Sequence, residues 1–388
     1  ATCMMKKDVT IDYFDPARTT LTRRDSLNIL LIQIFSALAT GGAVVASQYL
    51  GRQDRENACG AAKQLVYACA AISILVGGLA MLGGKHLLSL IFGAVEPDVM
   101  RNAETYFWLS ALSYPALAIY NAGAALFRSM SNSRVSMMTS IAMNLVNISG
   151  NAILIYVFNM GVAGAAWATL ISQYVSAILV TLRLLLTKQN YKLSFRHFKI
   201  DKPILKNIFK VGLPAGLQSS MYSVGNLLIQ SSLNTFGSVV MAGWVAAMKV
   251  DDFTYAPICS YGMAMNSFVG QNAGAKRMDR VKKGFYTALI MSVVTAVVII
   301  VPVLILRGDV VRIFNKEADV VSVGSDIILH ICPFYVIFGM CEVFSGTLKG
   351  LSKSLTAFII TFVGILLTRI IWLYTAVLMT HNLTVLFM

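Results

Sequence analysis

The chain has 388 residues, of which 57% are hydrophobic and only 13% are charged, and its mean hydropathy is +0.69. This composition is too apolar and too poor in charge for a soluble domain of that length, so we expect lipid to be its solvent. The formal net charge of +14 would also suit a nucleic-acid-binding protein. The basic residues follow a membrane pattern, however, which argues against a nucleic-acid partner.

Ten membrane spans are predicted, since a helix needs roughly 20 apolar residues to cross about 30 Å of hydrocarbon. The resulting fold class is an all-α polytopic bundle. Seven of the spans lie in runs without charge, Ser238–Asn272 contains three charged residues, and the interiors of the last two spans contain Glu342 and Arg369. In chain order the spans fall in Ser26–Gly51, Gln64–Gly84, Thr105–Phe127, Val135–Leu182 (two spans), Val211–Leu233, Ser238–Asn272, Gly284–Leu306, about Ser325–Leu348 and about Ser354–Met379.

The loops between these spans differ strongly in basic charge. One alternating set holds 20 Lys and Arg and the opposite set holds 5. Because loops that stay in the cytoplasm carry the excess of basic residues, the first set is predicted to be cytoplasmic. Its members are residues 52–63, 128–134, 183–210, 276–283 and 349–353.

The same pattern divides the chain into four parts. Residues 1–24 form a polar N-terminal segment, which lacks the apolar stretch of a signal peptide or a span. Residues 25–186 form a first lobe and residues 211–388 a second lobe. The basic stretch 187–210 is predicted to be a cytoplasmic connector that sets orientation, with a patch for anionic lipid or nucleic acid as the alternative.

No arrangement of residues in the sequence suggests an enzyme. The six cysteines have no metal or disulfide spacing, and the four histidines are scattered. The chain also lacks an HExxH motif, a nucleophile elbow and a phosphate-binding loop. We therefore expect no catalytic residues, no cofactor and no metal beyond a possible coupling ion.

An internal repeat relates the two lobes. The segment VVASQYLGRQDREN resembles FVGQNAGAKRMDRV, and the alignment that pairs Gln48 with Gln271 also pairs Gly51 with Gly274. A second pair of segments, residues 114–133 and 332–354, aligns nearly as well and ends by pairing Ser133 with Ser354. Two lobes of equal orientation are typical of transporters with parallel repeats, whose substrate sites lie between the lobes. The repeat predicts twelve spans, of which this chain lacks the first and the last.

Five sequence blocks resemble successive blocks of the bacterial multidrug and toxic compound extrusion (MATE) transporters: GGAVVASQYLGRQD, YPALAIYNAGAALFRSMSNSR, NLVNISGNAILIYVFNMGVAGAAWATLISQ, VGLPAGLQSSM and SFVGQNAGAKRMDRVKKG. The resemblance runs in order from about Asn28 to about Met379. It implies a two-lobe antiporter of the bacterial plasma (inner) membrane that exports organic cations and other amphiphiles in exchange for H⁺ or Na⁺. It implies a small-molecule substrate and contact with membrane lipids, and it indicates no protein partner.

Three charged side chains, Lys249, Asp251 and Asp252, stand within 65 otherwise uncharged residues. Each costs roughly 2.5 to 3.5 kcal/mol at the bilayer centre if nothing compensates it. Lys249 and Asp252 are three residues apart and are predicted to pair, which leaves Asp251 free to bind the coupling H⁺ or Na⁺. The MATE resemblance supports Asp251, because many members carry an acid at this position. In the alternative, the ion pair only fixes helix packing and Asp251 hydrogen-bonds to a neighbouring span.

Other polar residues of the second lobe could complete this site. Pro257 cannot donate a hydrogen bond to the carbonyl of Phe253, which leaves that oxygen free, and a bend or break is expected near Pro257 or Gly262. A polar stripe recurs at four-residue spacing along one face of a span. It is predicted to line the substrate path, or else to bind helices together, and it consists of Gln218, Tyr222, Asn226 and Gln230.

Glu342 is a further coupling candidate, and it could pair with Arg369 or lie near Asp251. The spans of the first lobe contain no charge, so coupling by titration is expected in the second lobe. Pro115 and Pro333 occupy matching positions in the repeat. Each is predicted to kink its span as a hinge, with a static kink as the alternative.

Two other functions are compatible with this pattern. A lipid or lipid-linked-sugar flippase of the same superfamily would need several cations for pyrophosphate, whereas the spans hold only Lys249 and Arg369. A truncated remnant without transport activity is the second alternative, because the loss of one helix from each lobe exposes surfaces built for protein contact.

Overall fold

The computed structural model describes residues 16–92, 97–187, 200–233, 237–372 and 375. Every regular element in these ranges is helical, which confirms the predicted all-α membrane bundle. In chain order the α-helices are α1 (Pro16–Gly51), α2 (Arg55–Phe92), α3 (Pro97–Ser129), α4 (Ser133–Ala152), α5 (Gly161–Leu186), α6 (Lys202–Leu233), α7 (Ser238–Gly274), α8 (Met278–Ile305), α9 (Arg307–Arg312), α10 (Ala318–Ile331), α11 (Tyr335–Gly350), α12 (Ser354–Thr361) and α13 (Thr368–Trp372).

Each of the ten predicted spans coincides with a helical pass, in which α10 with α11, and α12 with α13, count as one pass each. Seven described stretches are long and apolar enough to cross a membrane: 32–51, 55–83, 133–157, 161–186, 278–305, 318–350 and 354–372. The other three passes are α3, α6 and α7, of 33, 32 and 37 residues. These helices reach about 50 Å at 1.5 Å per residue, and they are simply more polar. Helix α1 begins at Pro16, earlier than the predicted lobe boundary at residue 25.

The prolines predicted to interrupt helices behave differently from one another. Helix α7 continues through Pro257 and Gly262 without a break, so of the bend or break expected there only the bend stays a prediction. Its packing against α10 and α11 holds the helix together although one backbone hydrogen bond is lost. Pro115 also lies within a continuous helix, α3. At Pro333, by contrast, a 3-10 turn of three residues separates α10 from α11.

Two pairs of turns show the internal repeat in their backbone geometry. Gln53 and Lys276, which the first alignment pairs, both adopt the left-handed conformation, with φ of 60° and 57°. Ser131 and Ser352, which the second alignment pairs, do the same with φ of 59° and 61°. In all four turns the amide of the left-handed residue donates to the carbonyl three positions earlier, at 2.9 to 3.0 Å. We call the end of the bundle that carries these turns and the basic loops the basic end.

Buried apolar side chains form two large clusters, one in each half of the chain. The first cluster joins α1, α2, α3 and α5 with the start of α6, and its largest members include Phe35 and Phe127. The second joins the end of α6 with α7 to α11 and includes Trp244 and Ile258. The halves meet where α1 packs against α6 and α7. The two halves therefore have separate cores and a shared seam along α1.

A reciprocal pair of glycines brings the halves together at the basic end. A Cβ on Gly51 would overlap the carbonyl oxygen of Gln271, and a Cβ on Gly274 would overlap the carbonyl oxygen of Gln48. One alignment of the repeat relates Gly51 to Gly274 and Gln48 to Gln271. The contact therefore has two-fold pseudosymmetry, and only glycine allows the backbones to approach so closely.

Candidate functional site

Asp251 lies well inside α7, about 20 Å along the helix from its start at Ser238, and its side chain is half-buried. The hydroxyl of Tyr335, the first residue of α11, donates a hydrogen bond to Oδ1 of Asp251. The sequence predicted no local partner for Asp251, and the partner comes from a helix far away in the chain. The contact is the interhelical hydrogen bond of the alternative interpretation, and it also fixes the orientation of the carboxylate.

The ion pair predicted between Lys249 and Asp252 is not formed in the described part of the chain. Both side chains are exposed, and they lie away from the buried face of α7, which contains Val250 and Thr254. An exposed pair gains little Coulomb energy to offset the entropy lost by two ordered side chains. Charges on this face would be costly in hydrocarbon, so the face suits a polar cleft better than lipid.

An aromatic cluster lies beside Asp251, and we call it the Phe338 cluster. The ring of Phe338 stacks on Tyr255 at 5.4 Å between centroids. Tyr335 and Tyr222 meet the same ring edge-on, at 5.9 and 6.2 Å. These four rings come from α6, α7 and α11. Aromatic faces attract cations, and Asp251 places a carboxylate at one side of the cluster.

Glu342 places a second carboxylate near the Phe338 cluster, two turns after Tyr335 along α11. Its side chain is half-buried, and the Tyr222 side chain of α6 is an electrostatic neighbour of it. The carboxylate packs against α7 at Gly262, where a Cβ would come within 2.8 Å of Oε2. Each of the two candidate carboxylates thus has a tyrosine of another helix beside it.

The predicted pairing of Glu342 with Arg369, or of Arg369 with Asp251, is not formed among the described residues. The guanidinium of Arg369 instead donates to Oδ1 of Asn226, at 3.5 Å. The cation that interacts electrostatically with Glu342 is Lys349, at the end of α11. From the sequence, Lys349 was assigned to a loop. The structure places it in the last turn of α11, with its side chain toward the interior of the bundle.

The polar stripe of α6 divides into different environments. Gln218 is 1% exposed, and its Nε2 donates to the hydroxyl oxygens of Ser345 at 3.0 Å and Thr361 at 2.7 Å. Gln218 thus links α6 to α11 and α12, which is the packing role of the alternative interpretation. Tyr222 belongs to the Phe338 cluster, and Asn226 is exposed. The side chain of Gln230 lies outside the described residues.

Arg128 was assigned to a loop from the sequence, but the structure places it in a helix. It lies within α3, one residue from the end of the helix, and its side chain is only partly exposed. The alignment that pairs Ser133 with Ser354 also pairs Arg128 with Lys349. Both cations were interpreted as loop residues because a charge was taken to mark the end of a span.

A pair of glutamines joins the two halves at the basic end. The Nε2 of Gln48 in α1 donates to the carbonyl oxygen of Gly350 and to Oγ of Ser352, both at 2.9 Å. The Nε2 of Gln271 in α7 donates to the carbonyl oxygen of Ser129, at 2.5 Å, and more weakly to Oγ of Ser131, at 3.4 Å.

We call these reciprocal contacts the glutamine latch. The first alignment of the repeat relates the two glutamines, and the second relates the two acceptor carbonyls, those of Ser129 and Gly350. Each glutamine satisfies a carbonyl at the end of a helix in the other half, where no intrahelical donor is available. The sequence repeat had paired the two glutamines without suggesting this role.

Within the described residues, no group of three His, Cys, Asp or Glu side chains comes together as a metal site. Asp251 is joined to the hydroxyl of Tyr335, and Glu342 has Tyr222 as a neighbour. Single carboxylates with neighbouring oxygen atoms suit a proton or a weakly bound monovalent cation better than a transition metal.

The sequence and the fold were compared with known proteins. The sequence profile of the MatE family matches residues 25–153 and 214–375. The probable multidrug resistance protein YoeA of Bacillus subtilis is 23% identical over 335 residues, which cover 84% of this chain and 71% of that protein. The probable multidrug resistance protein NorM of Thermotoga maritima is 22% identical over 341 residues, with 87% and 73% covered.

Solved structures share the fold at low sequence identity. A crystal structure of MATE in complex with MaL6 has a TM-score of 0.91 at 18% identity and covers 97% of this chain and 84% of that one. A transporter of the MOP superfamily from Pyrococcus furiosus, described as having a binding pocket of reversed polarity, gives 0.90 at 18% identity with the same coverage. The family profile spans more than half of the chain, and its members are transporters. The chain therefore belongs to the MatE family and is a membrane transporter, not an enzyme.

Proposed function

We propose that this transporter is a secondary antiporter that exports organic cations or amphiphilic drugs in exchange for H⁺ or Na⁺. The observation that carries the proposal is the Phe338 cluster with Asp251 and Glu342 beside it. Aromatic faces and carboxylates together bind a desolvated organic cation. Burial in a membrane bundle makes each uncompensated carboxylate costly, so a cation is favoured there.

Coupling follows from competition for the same charge. When H⁺ or Na⁺ neutralises Asp251, the electrostatic attraction for a cationic substrate is lost, so substrate and coupling ion exclude each other. Protonation also turns the carboxylate from an acceptor into a donor, which changes its hydrogen bond with Tyr335. Lys249 and Asp252 lie on the exposed face of α7 and set the local charge that an approaching ion meets.

In a transporter that works by alternating access, the glutamine latch would hold the two halves together on one side of the membrane. We place the basic end in the cytoplasm of a bacterial cell, because the basic loops gather there. The latch then holds the halves together on the cytoplasmic side, and the described conformation is closed to the cytoplasm. Opening toward the cytoplasm requires these hydrogen bonds to break, with the seam along α1 as the surface between the moving halves.

The test is gradient-driven transport of ethidium, a fluorescent organic cation, into inside-out proteoliposomes whose lumen is either acidic or rich in Na⁺. We expect Asp251→Asn to lower the gradient-driven rate by about 100-fold, because the residue can no longer change charge. Asp309→Asn is the matched control, since Asp309 is exposed and pairs with Arg312 away from the site. The control should transport at the normal rate.

Both variants must first elute as single species of normal thermal stability in detergent. Transport by Asp251→Asn at the normal rate, with either gradient, would contradict the assignment of Asp251. A rate that responds to the acidic lumen alone, or to Na⁺ alone, identifies the coupling ion.

A further inference from the structure

A polar pocket lies between the halves, one to three turns from the glutamine latch. It is lined by α1 and α3 of the first half and by α7 of the second half. Ser36 at one side of the pocket is exposed, whereas Ala43 at the other side is buried, so the pocket is closed toward the latch. The polar side chains that line it are Ser36, Thr40, Asn121, Arg128, Asn266 and Ser267.

Arg128 brings a full positive charge to this pocket without a carboxylate to balance it. Among the described residues no Asp or Glu oxygen lies within 4.0 Å of its guanidinium, and its electrostatic neighbour is Tyr120. The pocket-lining stretches of α1, α3 and α7 carry no acid. Asp251 and Asp252 lie on α7 about four turns before Asn266, at least about 21 Å along the helix.

The second half shows what the first half lacks. There the equivalent cation, Lys349, has the carboxylate of Glu342 as an electrostatic neighbour two turns earlier on the same helix, although no ion pair joins the two among the described residues. The alignment that pairs Arg128 with Lys349 places Asn121 where the second half has Glu342. In the first half the neutral amide of Asn121 thus takes the place of the carboxylate, while the cation of the pair is present as Arg128. A partly buried cation without its carboxylate is costly unless an anion from outside the chain fills the gap.

Asn266 provides an independent sign that a ligand completes the pocket. Its Oδ1 is buried and has no hydrogen-bond partner among the residues that the structure describes. A buried amide without a partner costs free energy, and an amide side chain can present either its oxygen or its NH₂ group to a ligand. Together with the hydroxyl of Ser267 and the amide of Asn121, it surrounds Arg128 with groups that can hydrogen-bond to an oxyanion.

We propose that this pocket binds the carboxylate or phosphate group of an amphiphilic molecule, with Arg128 as the counter-ion and Asn121, Asn266 and Ser267 as hydrogen-bonding partners. A guanidinium presents two parallel donors that match such a group. The pocket extends the chemistry of the proposed export function from cations to molecules that carry an acidic group. The anion site itself does not depend on transport, and only its role as a substrate subsite rests on the proposed function.

The pocket is also connected to the latch through the backbone. Arg128 is followed by Ser129, whose carbonyl accepts the hydrogen bond from Gln271. Asn266 lies on α7 just over one turn before Gln271. An anion that draws Arg128 and Asn266 together therefore acts on both sides of one arm of the latch, and it favours the conformation closed at the basic end.

The experiment measures binding of two fluorescent probes to the purified full chain in a neutral detergent. Dansylglycine carries a carboxylate, and dansylglycinamide has the same body without the charge. We expect dansylglycine to bind at least about tenfold more tightly, as a charge-assisted hydrogen-bond pair provides. Arg128→Gln should remove this preference, and Arg128→Lys should retain part of it.

Asn121→Glu is the sharper variant, because it keeps Arg128 and supplies the carboxylate found in the second half. It should abolish the preference for dansylglycine as completely as Arg128→Gln does. Arg134→Gln removes an exposed cation close to the same turn and should bind both probes normally.

Sodium phosphate and dioctanoyl phosphatidic acid are the competing ligands. Displacement of dansylglycine by both assigns the site to the oxyanion itself, and displacement by the lipid alone assigns it to an amphiphile with an acidic group. Equal affinity of the two dansyl probes for the normal protein would refute the proposal. So would a preference that persists in well-folded Arg128→Gln. If the preference is confirmed but ethidium transport fails, the export function is wrong and the anion site stands.

Discussion

The two halves of the molecule share backbone geometry at the basic end and differ in charge one to two turns away from it. The turns at Ser131 and Ser352 have the same φ and the same hydrogen bonds. Yet α11 carries the acid Glu342 two turns before Lys349, whereas α3 carries the neutral Asn121 two turns before Arg128. The halves must fit each other at the latch, so geometry is retained there. Away from the latch the halves do not have to match each other, so side-chain chemistry is free to differ.

This difference suggests a division of labour between the halves. The second half offers two carboxylates and an aromatic cluster, which favour cations. The first half offers an unbalanced guanidinium at the seam, which favours anions. The two copies of a repeat can therefore share the backbone geometry of their contact while their side chains favour ligands of opposite charge.

The largest expected effect comes from adding a side chain at one glycine of the reciprocal contact between Gly51 and Gly274. Gly274→Ala places a Cβ against the carbonyl oxygen of Gln48, and Gly51→Ala does the same against Gln271. Because backbone atoms would have to move, each change should lower the free energy of unfolding by about 3 kcal/mol, measured by thermal unfolding in detergent. Gly78→Ala is the control, since no atom lies within 4 Å of that added Cβ.

The two glycine contacts are equivalent, so the two variants can also be compared with each other. Gly51→Ala and Gly274→Ala should lower the free energy of unfolding by amounts that agree to within about 1 kcal/mol. A harmful Gly274→Ala beside a harmless Gly51→Ala would show that the two arms of the contact are energetically different.

A smaller effect should separate Gln218, which is buried, from Gln173 of the first half, which is half-buried. Gln218→Leu leaves the hydroxyls of Ser345 and Thr361 without their shared partner and should cost about 2 kcal/mol. In the first half, Oε1 of Gln173 is buried without a hydrogen bond, so Gln173→Leu should be neutral or slightly stabilising. Thermal unfolding of the two variants under one condition checks the sign, and equal destabilisation would contradict it.

The sequence predicted the passes better than it predicted the contacts between them. Hydropathy and length identify a helix that crosses a membrane without any knowledge of its neighbours. Asp251 was found because an acid in an apolar run is costly. Its bond to Tyr335 joins residues 84 positions apart, and spacing along one helix carries no information about such a partner.

Two of the predictions were wrong for different physical reasons. Lys249 and Asp252 have the spacing of an ion pair, but spacing does not tell whether the pair is buried enough to gain from forming. Arg128 was assigned to a loop because charges mark span ends on average. In this chain the helix continues past the charge, and the neighbouring half covers it.

The smallest expected effect concerns the turns that precede α2 and α8. Asp54 caps α2: its Oδ1 accepts from the amide of Asn57 at 3.1 Å, and its Oδ2 accepts from Nδ2 of Asn57 at 2.7 Å. The hydrogen bonds from the Asn57 side chain and amide lower the pKa of Asp54 below its usual 3.8. At the equivalent position before α8, Arg277 makes no side-chain cap.

Asp54→Ala should therefore cause a small decrease in thermal stability at pH 6. Because the folded pKa is lowered, this contribution is fully present above about pH 3.8 and is lost as the pH falls through the folded pKa, so the two proteins should converge at still lower pH. Arg277→Asp should raise stability slightly by adding the missing cap. A difference that grows as the pH falls would contradict the capping role.

The glutamine latch has the form of an isologous interface built within a single chain. Each half contributes one glutamine and one helix-end carbonyl, and each receives the same from the other half. Two identical copies of either half could form the same pair of hydrogen bonds, so the latch does not require the two halves to differ from each other. Elsewhere the halves are free to drift apart in sequence, because what each glutamine recognises is a backbone carbonyl, which no substitution removes.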